Sequence, residues 1–234
     1  MSEHIGTLRE RSLHASVKQW YALPGDLLEE RVGGYVVDIV RDGSIARARQ
    51  LLIEIQTRSF APLKRKLRQL TEEYEVRLVH PIPREKWILR LAADEETVLG
   101  RRRSPKRGMA AHLFEQLVSI PDLVSRDSFS IEVLMIEEEE VRCYDGRGSW
   151  RHREWTRRDR RLLDVVERRI FAQPADFLGF VPSQLERPFT NRELAESTGY
   201  ALRLAEKLTY CLKKMGALEV VGRRRRAQLF AEAA

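Results

Sequence analysis

The chain has 234 residues, 43% hydrophobic and 33% charged, with 42 lysines and arginines against 35 aspartates and glutamates, a net charge of +7. That length holds one large domain or two small ones. Two cysteines, Cys143 and Cys211, are too few for a disulfide framework and lack metal-ligand spacing, and no apolar run approaches the ~20 residues of a membrane span. Met1–Gly6 shows neither the charged nor the apolar region of a secretory signal, so a reducing cytoplasm, with no membrane partner, is the expected setting. The charge is unevenly placed. Residues 1–149 carry 24 cations and 24 acids, whereas residues 150–234 carry 18 and 11, which leaves the whole excess in the C-terminal third. Such asymmetry points to a nucleic acid or another anionic surface there; a solvated arginine-rich face is the plain alternative.

In chain order, residues 8–21 read as a helix, with Leu13, Val17, Trp20 and Tyr21 in an apolar stripe and Pro24-Gly25 as the stop. Glu10, His14 and Lys18 stack on its polar face, either as a salt-bridge ladder or as part of a site. Glu29 and Glu30 precede Gly33-Gly34. Two apolar strands follow, G-Y-V-V-Asp38-I-V and L-L-I-Glu54-I-Gln56-T. Strands apolar on both sides belong at the centre of a covered sheet, and a charge buried there must be paired or bind a cation. Period-two alternation puts Val36, Asp38 and Val40 on one face and Leu52, Glu54 and Gln56 on one face. If the strands are neighbours, Asp38, Glu54 and Gln56 converge, forming a place for a hard cation such as Mg²⁺, or Mn²⁺, which takes one or two carboxylates plus water and phosphate oxygens. Residues 41–50 read as a hairpin tip carrying Arg47 and Arg49. Residues 59–74 read as a helix with Leu63, Leu67 and Leu70 buried and Lys64, Arg65, Lys66 and Arg68 on its other faces.

The order Asp, hairpin, Glu-x-Gln and basic amphipathic helix resembles the PD-(D/E)XK nuclease superfamily, which includes Holliday-junction resolvases and restriction enzymes, over residues 5 to 92. The resemblance implies a helix, a three-stranded meander, a helix and a strand, with metal held by Asp38, Glu54 and the Ile55 carbonyl. It also implies a first-helix glutamate near the metal, at Glu10. The third motif position, usually lysine, is Gln56, and Lys64 or Lys66 stands where the following helix can supply the missing cation.

Farther on, 76–83 and 86–92 read as two short strands, the first closed by prolines. Residues 94–107 read as a cation-rich loop whose Arg101, Arg102, Arg103, Lys106 and Arg107 either clamp phosphates or are simply solvated. Residues 108–125 read as a helix, 131–136 and 141–144 as strands, and Glu137–Glu140 between them as a solvated turn.

The C-terminal segment opens with Thr190 and Glu193 as a capping box. A short helix, a turn at Gly199, a second helix over 201–216 with Leu204, Leu208, Leu212 and Met215 buried, and a strand–turn–strand over 218–230 follow. This resembles the winged-helix family over residues 157 to 231, with 161–171 as its first helix. The resemblance implies that the second helix of the pair enters a DNA groove, presenting Arg203 and Lys207 with Arg192 at its flank, while Arg223, Arg224, Arg225 and Arg226 form the wing tip.

The expected architecture is an α/β (α+β) mixed-sheet nuclease-like domain over 1–150, extended from about residue 94, followed by a winged helix-turn-helix domain over 151–234. The expected function is metal-dependent DNA hydrolysis, or DNA binding by an inactive nuclease fold. Cutting both strands needs two active sites, which points to a homodimer. No glycine-rich phosphate loop, nucleophile elbow or paired Cys/His cluster offers another chemistry.

Overall fold

A computed structural model describes residues 13–42, 50–144 and 155–233. Glu10, Arg47, Arg49 and the expected boundary at 150/151 lie outside the described residues. In chain order the elements are α1 (Leu13–Tyr21), β1 (Leu27–Val32), β2 (Tyr35–Arg41), β3 (Leu51–Ile55), α2 (Lys64–Glu73), β4 (Glu75–Leu91), β5 (Val98–Arg103), α3 (Phe114–Leu117), β6 (Phe129–Tyr144), β7 (Trp155–Phe171), α4 (Asn191–Thr198), α5 (Leu202–Met215), β8 (Leu218–Arg224) and β9 (Ala227–Glu232). The fold is mixed α/β. One sheet runs β1-β2-β3-β4-β6-β7, with β5 also on β4, and β8-β9 form a separate hairpin. The large sheet is itself mixed, since β3 and β4 pair in parallel while β1–β2, β2–β3 and β4–β5 are antiparallel. Among the described residues no helix is long and apolar enough to cross a membrane.

The chain divides into two compact units. One comprises Met1–Asp26, Pro81–Met109 and Val133–Arg168; the other comprises Leu27–His80, Ala110–Glu132 and Arg169–Ala234. In the second unit, Gly33 and Gly34 both take positive φ (56° and 81°) between Val32 and its partner Tyr35, the two-residue turn that suits a right-twisted hairpin. Val37, Ile39 and Ile53 are fully buried beneath it. Helix α2 seals this core with Leu67 and Leu70. Helix α5 buries Leu204, Leu208, Leu212 and Met215 against α4, α3 and the 3₁₀ segments at Pro121–Ser125 and Pro174–Phe180. Phe114 packs edge-on against Phe177 and Phe180, and Phe171 stacks on both.

Several local readings are corrected. Residues 76–83 and 86–92 form one strand, β4. Its Pro81 and Pro83 fall after Val79, the last residue paired with β3, and before Trp87, the first paired with β5, so the missing N–H groups break neither of those ladders. Residues 98–103 are strand β5 rather than loop. Residues 108–125 form two 3₁₀ turns flanking the four-residue α3, not one helix. Residues 161–171 belong to β7, so the helix expected ahead of Asn191 is absent there. Its apolar spacing fits a helix, but Val165, Val166 and Ile170 favour strand and β7 pairs with β6.

The largest correction concerns Glu137–Glu140. They lie inside β6, and Glu138, Glu139 and Glu140 are buried. Each has its cation. Glu138, fully buried, meets Lys86 at 2.7 Å and Arg160 at 2.5 Å; Glu139 meets Arg101 at 2.7 Å; Glu140 meets Arg142 at 2.6 Å. Burial pushes the Glu140 pKa up, but the Arg142 hydrogen bond and the Lys86 and Arg142 charges outweigh it and leave the carboxyl below its ordinary value. Removing one member of a buried pair strands the other. Glu138→Ala is therefore expected to cost about 3 kcal/mol or more, read as a lower urea midpoint, while Glu137→Ala stays within about 0.5 kcal/mol of the native protein.

Candidate functional site

The register Ile39↔Ile53 and Val40↔Leu52 carries on to set Asp38 opposite Glu54, so the two carboxylates stand side by side on adjacent strands. Asp38 Oδ2 accepts the Ile55 N–H at 2.8 Å. Glu54 is 8% exposed, and Lys66 in the first turn of α2 reaches it, with Nζ 2.5 Å from Oε2. The same ammonium donates to the Val36 carbonyl at 2.5 Å, so it ties β2 and β3 to the helix at the carboxylates. The structure thus brings Lys66 to Glu54 and leaves Lys64 elsewhere, where its charge acts on Asp122. Burial works to raise the Asp122 pKa, while the Arg68 hydrogen bond and the Arg68 and Lys64 charges hold it below the ordinary value.

Gln56 follows the last residue of β3. Its side-chain oxygen accepts the Arg58 N–H at 3.0 Å, its N–H donates to the Val79 carbonyl at 2.9 Å, and its carbonyl lies 2.5 Å from His80 Nδ1. His80 is buried edge-on against Phe60, ring centroids 4.9 Å apart. The bond to a carbonyl places a proton on Nδ1. Sequence reasoning missed His80; a polar residue closing the apolar run V-R-L-V was its only signal. Glu29 belongs to the same level of the sheet. Leu28↔Ile39 and Glu30↔Val37 bracket it opposite Asp38, with a left-handed φ of 57°.

Among the described residues no three His, Cys, Asp or Glu side chains gather closely enough to hold a metal ion alone. Two adjacent carboxylates are what this place offers, and that donor set suits Mg²⁺, which keeps several waters and recruits phosphate oxygens. Neither cysteine competes as a nucleophile. Burial pushes the Cys211 thiol up to about 12, and Cys143 is buried with Sγ on the Ala92 carbonyl.

The C-terminal elements follow their local signals closely. Thr190 N–H donates to Glu193 Oε2 at 2.7 Å and Glu193 N–H donates to Thr190 Oγ1 at 3.3 Å, and the Thr190 N–H holds the Glu193 carboxyl below its ordinary pKa. Gly199 ends α4 at φ 72° and permits the turn into α5. Arg192 and Arg203 are exposed and Lys207 is half-buried. Phe189 bridges Phe230 and tethers the β8–β9 hairpin. Its tip is Arg225-Arg226, between the paired Arg224 and Ala227. Arg224 is committed to Glu193, whereas Arg223, Arg225 and Arg226 are exposed and have no carboxylate partner among the described residues.

The chain belongs to the family described as a domain of unknown function, DUF8091, whose model matches residues 11–172. That segment contains Asp38, Glu54, Gln56 and Lys66 and stops short of α4, α5 and the hairpin. A Treponema pallidum (strain Nichols) protein, described as uncharacterized, is 28% identical over 209 residues, which cover 87% of this chain and 80% of that protein. No solved structure matches the chain.

The ion pair between Lys66 and Glu54 is almost wholly out of water, with side-chain exposures of 12% and 10%. Lys66→Ala is expected to cost about 3–5 kcal/mol by denaturant titration. Added Mg²⁺ should recover part of that loss, because the abandoned carboxylate gains a cation. Glu54→Gln in the same background should abolish the recovery.

Proposed function

We propose that this DUF8091 member is a metal-dependent DNA endonuclease that hydrolyses phosphodiester bonds, with its C-terminal helices and hairpin acting as a winged-helix DNA-binding element. The observation that carries the reading is the juxtaposition of Asp38 and Glu54 on adjacent strands with Lys66 on Glu54. It matches what the nuclease resemblance asks for at the two carboxylate positions, and it supplies from α2 the cation that Gln56 cannot. Asp38, Glu54 and the Ile55 carbonyl would hold Mg²⁺ or Mn²⁺, which activates water and offsets the charge developing on phosphate. The chain's own residues do the rest. Lys66 places a fixed positive charge beside Glu54, where a scissile phosphate must sit. The Ile55 N–H fixes the Asp38 carboxylate, and His80 anchors the main chain that carries Gln56, whose amide can orient water.

On this reading Arg203 and Lys207 face the groove, Arg192 flanks them and the hairpin-tip arginines take backbone phosphates. Cutting both strands calls for two copies, and the setting is the cytoplasm. One observation favours the alternative, an inactive nuclease fold that only binds DNA. The Gln56 side-chain oxygen is already spent on the Arg58 N–H.

The test is cleavage of supercoiled, linear, single-stranded and four-way-junction DNA with Mg²⁺ or Mn²⁺. Metal-dependent cutting is expected for the native chain, and Asp38→Asn or Glu54→Gln should lose it while keeping fold and DNA affinity. Cutting that survives in both variants would overturn the site; salt-sensitive binding without any cutting would establish the inactive alternative.

The hairpin tip gives an independent check. Arg225 holds φ 56°, a backbone state that asparagine adopts more readily than arginine. Arg225→Asn should stabilise the protein by about 0.5 kcal/mol and yet weaken DNA binding, with the salt slope falling by about one. A variant that gains stability and binds DNA unchanged would remove the tip from the interface.

A further inference from the structure

The β4–β5 ribbon of the first unit carries a concentration of cations that the proposed function leaves unused. Trp87↔Arg103, Ile88↔Arg102 and Leu89↔Arg101 pair across it. Beyond β5 the chain keeps to the same track, because Ser104 N–H donates to the Lys86 carbonyl at 2.7 Å and Gly108 N–H donates to the Pro83 carbonyl at 2.8 Å. Gly108 is required for that approach, since a Cβ there would lie 2.4 Å from the Pro83 oxygen. The two bonds hold residues 105–107 alongside residues 84 and 85 of β4.

The cations of this ribbon fall into two sets. Arg101 is bound to Glu139 at 2.7 Å and lies over the Trp87 ring at 4.2 Å. Arg103 is paired with Glu85, and Arg107 sits 3.7 Å from the same carboxylate. These three are committed to the fold. Arg84, Arg102 and Lys106 are exposed and have no carboxylate partner among the described residues. Strand alternation sets Glu85, Arg101 and Arg103 on one face and Arg84, Lys86 and Arg102 on the other; of these last three only Lys86 has a carboxylate partner among the described residues, in Glu138 and Glu140. Lys106 is held beside Arg84, and like charges set side by side across a ribbon oppose folding. No carboxylate among the described residues is paired with Arg84, Arg102 or Lys106, and a phosphate oxygen would offset that repulsion.

We propose that Arg84, Arg102 and Lys106 form a second DNA-backbone contact, separate from the C-terminal module and within the segment that defines the family. The inference rests on the DNA reading above and deepens it. The ribbon supplies sequence-independent phosphate binding, so it sets affinity and salt dependence rather than choice of sequence.

The experiment is fluorescence anisotropy of a labelled random-sequence duplex against the full-length protein over a potassium chloride series, comparing native chain with R84Q/R102Q/K106Q. The triple variant is expected to melt no lower than the native protein, to bind more weakly on every sequence and to lose about three from the salt slope. Native affinity and slope in the triple variant, with the native protein binding DNA, would overturn the ribbon contact and leave the DNA reading standing. Failure of the native protein to bind any duplex would overturn both. Loss of binding to phosphatidylserine vesicles with duplex binding unchanged would assign the ribbon to a membrane surface and overturn the proposal.

Discussion

A carboxylate taken out of water inside a sheet must bring a cation with it, and most of this molecule's arrangement follows from that one cost. An isolated buried charge is penalised by several kcal/mol, so each such glutamate fixes the position of a lysine or arginine supplied from another element. Glu54 on β3 draws Lys66 from α2, and Lys66 in turn grips the Val36 carbonyl of β2. Glu138 on β6 draws Lys86 from β4 and Arg160 from β7. The pairs therefore do more than neutralise charge. They specify which strand lies beside which, where greasy side chains alone would accept a slipped register.

The same constraint separates what could be read in the sequence from what could not. The C-terminal elements were legible almost residue by residue, because their determinants are local. Thr190 and Glu193 satisfy each other's N–H groups within one turn, Gly199 and Gly216 take the left-handed caps, and α5 buries one clean stripe. The carboxylate pair was legible for a different reason, since a charge in a doubly apolar strand demands a partner wherever that strand ends up. Glu137–Glu140 resisted reading because four consecutive acids look solvated until their partners are seen, and apart from Arg142 beside Glu140 those partners sit 22 to 54 residues away in sequence. Residues 161–171 failed similarly. Their helical spacing is a local signal, and pairing with β6 is a distant fact that overrides it. Lys66 was one of two candidates for the same reason: helix phase decides between Lys64 and Lys66 only once α2 is docked by Leu67 and Leu70.

Lys66 also bears on how the candidate site keeps its chemistry with glutamine at position 56. A motif lysine two residues beyond the glutamate would place its charge from the strand itself. Here the charge arrives from the next helix and lands on the glutamate directly. On the proposed reading, Lys66 and a metal ion share the Glu54 carboxylate, whose two oxygens and several lone pairs admit both. The pair then has two consequences of opposite sign. It stabilises the metal-free protein by satisfying Glu54, and it weakens cation binding by the Coulomb term of a neighbouring positive charge. On that reading, a high Mg²⁺ concentration would make the second effect tolerable in return for the first.

Charge that a fold uses and charge that it does not use can be told apart, and the difference locates a partner more sharply than net charge does. Of the +7 excess, position along the chain assigned all of it to the C-terminal third, yet the first unit's ribbon, inside the balanced part, carries three exposed cations with no acid committed to them among the described residues. Balance along a sequence conceals local imbalance on a surface, because a cation is neutralised only by an acid that folding brings to it, as Lys86 is by Glu138. The hairpin tip makes the same point through the backbone. Arginine at φ 56° in a two-residue turn is a poorer choice for folding than asparagine or glycine, and it sits next to three further arginines, so both local strain and like-charge repulsion are tolerated at one place. Among the described residues only Arg224 of this run has a carboxylate partner, in Glu193. On the proposed reading a polyanion would offset both costs at once, by drawing counter-charge into the tip and by giving the strained arginine a contact to make.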